Sequence, residues 1–194
     1  MATISIINTS QLQVIADKLA DMQTLQTLMI SNEEKLIQAS AGDPDITERL
    51  TEMLKDDRNS IATLQEAITK LGVPGEASDK VQEVTSKIEE MMAGSKLALY
   101  EKFMQHEALK HQLVMTGLLV HKSAQAAGDD LEKVIDPINK ANFLNRKHQE
   151  ILKGILIRTG TRELVGKESK DDIWAQAEDG VAALKGAFGG LFGS

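Results

Sequence analysis

A chain of 194 residues is long enough for one domain with a substantial core, and the absence of cysteine excludes disulfides and thiolate metal sites. The net charge of −7 and the lack of a Lys/Arg cluster argue against a phosphate-binding surface, so nucleic acid is not expected as a partner. No apolar run reaches the length of about 18 residues that crosses a membrane, so we expect no transmembrane segment and a cytoplasmic location.

The first half of the chain predicts two long helices. One covers about 9–41, and a second covers 44–71, with Asp43 as its N-cap, Pro44 at its first position and Gly72 at its end. A shorter amphipathic helix follows at about 78–93, where apolar residues recur at helical spacing. We interpret it as an insert between the long helices.

The second half predicts two more long helices, over 97–125 and about 129–159. Four long helices joined by short connections are typical of an all-α, up-down-up-down four-helix bundle, which we assign to residues 1–160.

Residues 161–194 differ in character and form the predicted appendage: a linker, an amphipathic helix capped by Asp171, and a Gly-rich tail ending GAFGGLFGS. The apolar side of this helix consists of Ile173, Ala177, Val181, Leu184, Phe188 and Leu191 or Phe192. Such a stripe packs on its own bundle or mediates association with a second copy or a protein partner. A membrane surface is less favoured, because the polar side of the helix carries acids.

The third long helix is unusual because it holds three of the four histidines. Steps of four and three residues along it predict an inner stripe with three ionisable members, and the stripe consists of Tyr100, Met104, Glu107, His111, Val114, Leu118 and His121. Burial of ionisable groups costs several kcal/mol unless each has a partner or a metal.

Helical rise places inward polar residues of all four long helices at one level of the predicted bundle. The strongest candidates as metal ligands are Asp57, Glu107, His111 and His148, with Asn145 and Gln26 at the same level and Glu33 and His121 paired further along. Imidazole and carboxylate ligands suit iron, manganese or zinc. The alternative is a metal-free structural or interaction protein, in which the same layer is a satisfied hydrogen-bond network. His106 is expected to be a half-exposed surface residue.

Standard catalytic motifs are absent, with no Gly-rich phosphate loop, GxSxG or HExxH, so enzymatic activity stays open and is not favoured.

Three stretches, YEKFMQHEALKHQLVMTGLLVHKSAQ, NFLNRKHQEILKGIL and GTRELVGKE, resemble cyanobacterial proteins of the hemerythrin HHE cation-binding or ferritin-like type. The resemblance implies a four-helix bundle with a non-haem iron centre that handles oxygen or responds to stress. The residues that it carries over are Glu107, His111, His148 and Asp57. They form an incomplete ligand set, which fits a mononuclear site better than a di-iron one.

Overall fold

The computed structural model describes residues 9–170 and 172–188, and within them every regular element is an α-helix, which confirms the all-α class. The helices are α1 (Thr9–Ala39), α2 (Pro44–Leu71), α3 (Asp79–Ala93), α4 (Leu99–Ala127), α5 (Asp129–Val165) and α6 (Ile173–Phe188). No helix in this part of the chain is long and apolar enough to cross a membrane.

The predicted boundaries of α2 and α3 are confirmed by their caps. The Asp43 side chain accepts a hydrogen bond from the backbone N–H of Ile46, and Gly72 ends α2 with a φ of 71°. Ser78 caps α3 in the same way through Val81. Glycine suits the end of α2 because a left-handed φ strains residues that carry a Cβ.

The end of α5 was predicted wrongly at Gly160. The helix continues through Gly160, which is buried against the side chain of Tyr100, and ends at Gly166, whose φ is 66°. Residues 161–165 therefore continue α5 and are not part of a linker. The physical reason is that only the second glycine adopts the left-handed conformation that terminates a helix.

Two apolar clusters show the direction of each helix. One combines the first half of α1 with the last parts of α2 and α4 and the beginning of α5, and Val81 of α3 packs against it. The other combines the end of α1 with the beginnings of α2 and α4 and the last part of α5, and it contains Met92 of α3. Helix α3 therefore runs from one cluster to the other.

This course of α3 overturns the predicted up-down-up-down order. The 15 residues of α3 span about 22 Å. They return the chain to the end where α2 began, so α2 and α4 run in the same direction. The sequence-based prediction left the insert helix out of the up-down order and therefore gave α4 the opposite direction.

Helix α1 packs against α2, α3 and α4, whereas α5 packs against α2, α4 and α6. On α6, Ile173 and Ala177 are buried and Trp174 packs against Gly154 of α5, so this part of the apolar stripe lies on the chain's own helices. Asp171, the predicted cap, lies outside the described residues, as do Leu191 and Phe192. Asp172 instead accepts the backbone N–H of Ala175.

Candidate functional site

The inner face of α4 lies about one residue away from the predicted stripe. The inward residues are Phe103, His106, Lys110, Leu113, Gly117, Val120 and Ala124, all of them buried. Of the predicted stripe, Val114 and His121 are buried as predicted, but Met104 is 47% exposed and His111 is also exposed. Helical spacing alone fits both sets of residues, and the set that is buried contains Lys110, whose charge has partners on other helices.

Lys110 lies at the centre of the interior. Its ammonium group contacts the Asp57 carboxylate of α2, lies 3.3 Å from Glu33 Oε1 of α1, and donates to Asn145 Oδ1 of α5 at 3.3 Å. All four side chains are buried. One cation therefore joins polar groups from four helices, and we call these residues, with His106 and His148, the interior network.

Two histidines extend the interior network. His106 Nε2 lies 3.2 Å from Glu33 Oε1, and both side chains are fully buried, so the prediction of a half-exposed surface histidine is wrong. His148 lies between two adjacent carboxylates: its Nε2 is 3.2 Å from Asp56 Oδ2, and its Nδ1 is 3.4 Å from Asp57 Oδ1.

These neighbours lower the pKa values of the two adjacent aspartates, Asp56 and Asp57. Burial alone would raise the pKa of Asp57, but the positive charge of Lys110 and the interaction with His148 outweigh it and hold that pKa well below its usual range. The hydrogen bond with His148 is the main cause of the lowered pKa of Asp56. Both carboxylates are therefore ionised at neutral pH.

The predicted metal site is not assembled. Asp57, Glu33, Asn145 and His148 belong to the interior network, where the ammonium group of Lys110 is the cation that the carboxylates contact. Across residues 9–170 and 172–188, no three or more His, Asp or Glu side chains are grouped as a metal site requires.

The remaining predicted ligands lie elsewhere. His121 Nδ1 accepts a hydrogen bond from the amide nitrogen of Asn139 at 3.0 Å, and the ion-pair partners of Glu33 are His106 and Lys110. Gln26 is buried on α1. Glu107 and His111 lie on the outer side of α4, because the actual inner face is one residue away from the predicted one.

Glu107 and His111 line a groove between α4, α5 and α6 with a volume of about 320 Å³. We call it the α4–α5–α6 groove, and its walls are Glu107, His111, Val114, Met115, Arg146, Gln149, Glu150, Lys153 and Leu184. Its polar residues lie on α4 and α5, and α6 contributes the apolar Leu184. The groove thus combines acids, a histidine and two cations.

Hydrogen bonds fix the histidine in this groove. The Gln149 amide nitrogen donates to Glu107 Oε1 at 2.8 Å and lies 3.3 Å from His111 Nδ1. Because a carboxylate only accepts, the amide nitrogen faces both groups, and His111 Nδ1 is the acceptor. The neutral imidazole therefore carries its hydrogen on Nε2, and that nitrogen is a donor.

A comparison with curated proteins finds one from Nostoc sp. (strain PCC 7120) named DNA nickase, which is 42% identical over 186 residues. The alignment covers 96% of this chain and 53% of the relative, so the chain spans about half the length of the curated relative that it matches. No family model matches the chain, and no solved structure matches it.

This relative overturns two predictions made from the sequence. The first is that the chain is an iron-type, metal-binding, hemerythrin-like or ferritin-like bundle, and the absence of a grouped set of ligands in the described residues agrees with this correction. The second is that nucleic acid is not a partner. That prediction relied on the net charge and on the lack of a Lys/Arg cluster in the sequence, and the net charge says little about one surface.

Proposed function

We propose that this chain acts on DNA, and that it binds DNA and cuts one strand of a duplex. The observation that carries the proposal is the 42% identity to the protein named DNA nickase, which extends over 96% of this chain. The similarity therefore involves all of the long helices and not one local motif. The relative is about twice as long as this chain. The strand-cutting proposal therefore concerns the activity of the given chain by itself.

The distribution of charge supports a DNA partner. Residues 138–162 of α5 carry six Lys/Arg and a single acid, Glu150, although the whole chain has a net charge of −7. Binding to phosphates depends on the local potential and on the cations that contact them, and net charge is a poor guide to both. An acidic chain with one basic stretch is therefore compatible with DNA.

We further propose that α1, α2, α4 and α5 form a four-helix bundle that serves as the framework for this function. The support is that each of these helices packs against two of the other three, and that all four contribute to the interior network. Helices α3 and α6 pack on the outside of this framework, against α1 and α5 respectively.

Strand cutting is tested on supercoiled plasmid DNA. We expect the purified chain to convert the supercoiled form to the open circular form before any linear form accumulates, because a single break relaxes the plasmid. The assay is run with magnesium, with manganese and with a chelator. Plasmid that stays supercoiled in every condition would contradict the strand-cutting proposal.

A trace of nuclease from the expression host would give the same product, so the assay needs a purification control. The nicking rate should follow the protein concentration across the fractions of a sizing column. A parallel purification from cells that lack the gene should give no rate. Activity that separates from the protein on the column would assign the nicking to a contaminant.

A further inference from the structure

We infer that the α4–α5–α6 groove binds the phosphodiester backbone of DNA, with Arg146, Lys153 and His111 as the groups that contact a phosphate. The inference rests on the proposed function and locates its substrate on the molecule. Arg146 and Lys153 belong to the basic stretch of α5, and both line the groove together with His111 of α4.

Hydrogen bonding leaves a donor in the groove. His111 Nδ1 accepts from Gln149, which leaves the Nε2–H as a donor on an exposed side chain. A phosphate oxygen is an acceptor with a negative charge, so an imidazole donor beside two cations matches it. Glu107 takes part indirectly, because its carboxylate holds the Gln149 amide in the orientation that sets the His111 tautomer.

Lys153 is accessible from the groove. Lys153 pairs with Glu150 at 2.7 Å, and the lysine side chain is 57% exposed. The Glu150 side chain is only 24% exposed and stays in the groove. An ammonium group has three N–H donors, so Lys153 can contact a phosphate while it stays paired with Glu150. Glu150 also lies against Gly180 of α6, which places its carboxylate at the α6 side of the groove.

The groove has a size and walls that suit a phosphate with its sugar. The volume of about 320 Å³ is at the lower end of the range for ligand pockets, so the groove fits a phosphate with its sugar. Val114, Met115 and Leu184 supply apolar walls for the sugar, and the cations and His111 supply the polar contacts. The two acids, Glu107 and Glu150, are each engaged by a neighbouring side chain.

The test is fluorescence anisotropy with end-labelled DNA, as a single strand and as a duplex, over a series of salt concentrations. Arg146→Ala/Lys153→Ala removes two cations from the groove. Lys80→Ala/Lys87→Ala removes two exposed cations from α3, which packs on α1 on another side of the molecule. The two double variants change the net charge equally, so they separate the groove from a general charge effect.

We expect the groove variant to raise the Kd by at least about tenfold and to reduce the slope of log affinity against log salt by about 1.8, at about 0.9 for each lost phosphate contact. The α3 variant should keep the wild-type slope. If DNA affinity weakens equally in both variants, or does not weaken in the groove variant, the groove is not the DNA site. In either case, DNA binding by the wild type would still support the proposed function.

A wild-type chain that binds neither form of DNA would overturn the proposed function and the groove together, which is a distinct outcome. Circular dichroism is measured for each variant to show that it is folded. If the double variant does not fold, Lys153→Ala alone is used, because this side chain is largely exposed. It should reduce the slope by about 0.9, and an unchanged slope would overturn the inference.

Discussion

The ammonium group of Lys110 and the carboxylate of Asp57 form an ion pair in the interior, and neither side chain is more than 1% exposed. Removal of two charges from water is costly, and the cost is offset only where further polar groups complete the hydrogen bonding. Asn145 accepts a hydrogen bond from Lys110, and Glu33 lies 3.3 Å from the same ammonium group. His148 Nδ1 lies 3.4 Å from Asp57 Oδ1, but these two atoms form no hydrogen bond, so the hydrogen bonding around the pair is only partly complete. The pair and these neighbours fix the positions of α1, α2, α4 and α5 relative to one another.

Lys110→Met should lower the free energy of unfolding by about 3–5 kcal/mol, because it leaves Asp57 and Glu33 buried without their cation. The matched control is Lys70→Met, which breaks the exposed pair with Glu66 and should cost less than about 1 kcal/mol. Urea unfolding followed by circular dichroism measures both. Similar losses in the two variants would show that the interior pair contributes no more than a surface pair.

Acid should destabilise the protein through Asp57. Its folded-state pKa lies below the ordinary value of 3.8, so its stabilising contribution is complete above that value and is lost as the pH falls towards the folded-state pKa. We expect the unfolding free energy of the wild type to decline below about pH 4. The unfolding free energy of Asp57→Asn should decline less steeply there, because this group no longer titrates. The slope that remains comes from other carboxylates with lowered pKa values, such as Asp43 and Asp56. Parallel curves would contradict this assignment.

Gly75→Ala should destabilise the protein by about 1–3 kcal/mol, because the loop between α2 and α3 lies directly on α1. An added Cβ would lie 2.3 Å from the backbone oxygen of Ala16, which cannot move away as the end of a side chain can. Gly42→Ala is the control, since nothing lies within 4 Å of its Cβ position. Thermal melting compares them, and equal midpoints would show that the loop shifts freely.

Trp174 is the single tryptophan of the chain, so its fluorescence reports the position of α6. An added Cβ at Gly154 would lie 3.0 Å from the indole ring, and the larger Gly154→Val should displace the ring from α5 and shift its emission to longer wavelength. Gly186→Val on α6 is the control, with nothing within 4 Å of its Cβ position. An unchanged emission maximum in Gly154→Val would mean that the indole does not rest on α5 in solution.

The helices could be predicted from the sequence because their signals are local. Asp43 with Pro44 begins α2, Gly72 ends it, and Ser78 begins α3, as the structure has them. Each signal depends on hydrogen bonds within a few residues, so tertiary contacts do not alter it.

The site could not be predicted in the same way, because the identity of the inner face depends on partners from other helices. From sequence alone, a lysine is expected at the surface, because lysines are seldom buried without partners. The partners of Lys110, which are Asp57, Glu33 and Asn145, lie on three other helices. The predicted stripe left Lys110 out and contained Glu107 and His111, which lie in the outer groove. The predicted metal ligands were thus divided between two places.

The basic stretch of α5 was present in the sequence and was missed for a simpler reason. Residues 138–162 hold six of the 22 Lys/Arg of the chain, but their charge disappears in a net value of −7. Helix α5 as a whole holds seven Lys/Arg and six Asp/Glu, so only a count over a window shorter than the helix would have shown the stretch and weakened the exclusion of nucleic acid.

The claim that this chain acts on DNA is tested most directly by its rate of nicking supercoiled plasmid, measured for the wild type and the two charge variants. The account predicts that the wild type and Lys80→Ala/Lys87→Ala nick at similar rates, and that Arg146→Ala/Lys153→Ala is slower by at least about tenfold at subsaturating protein. A wild-type rate no greater than that of the mock purification would contradict the account.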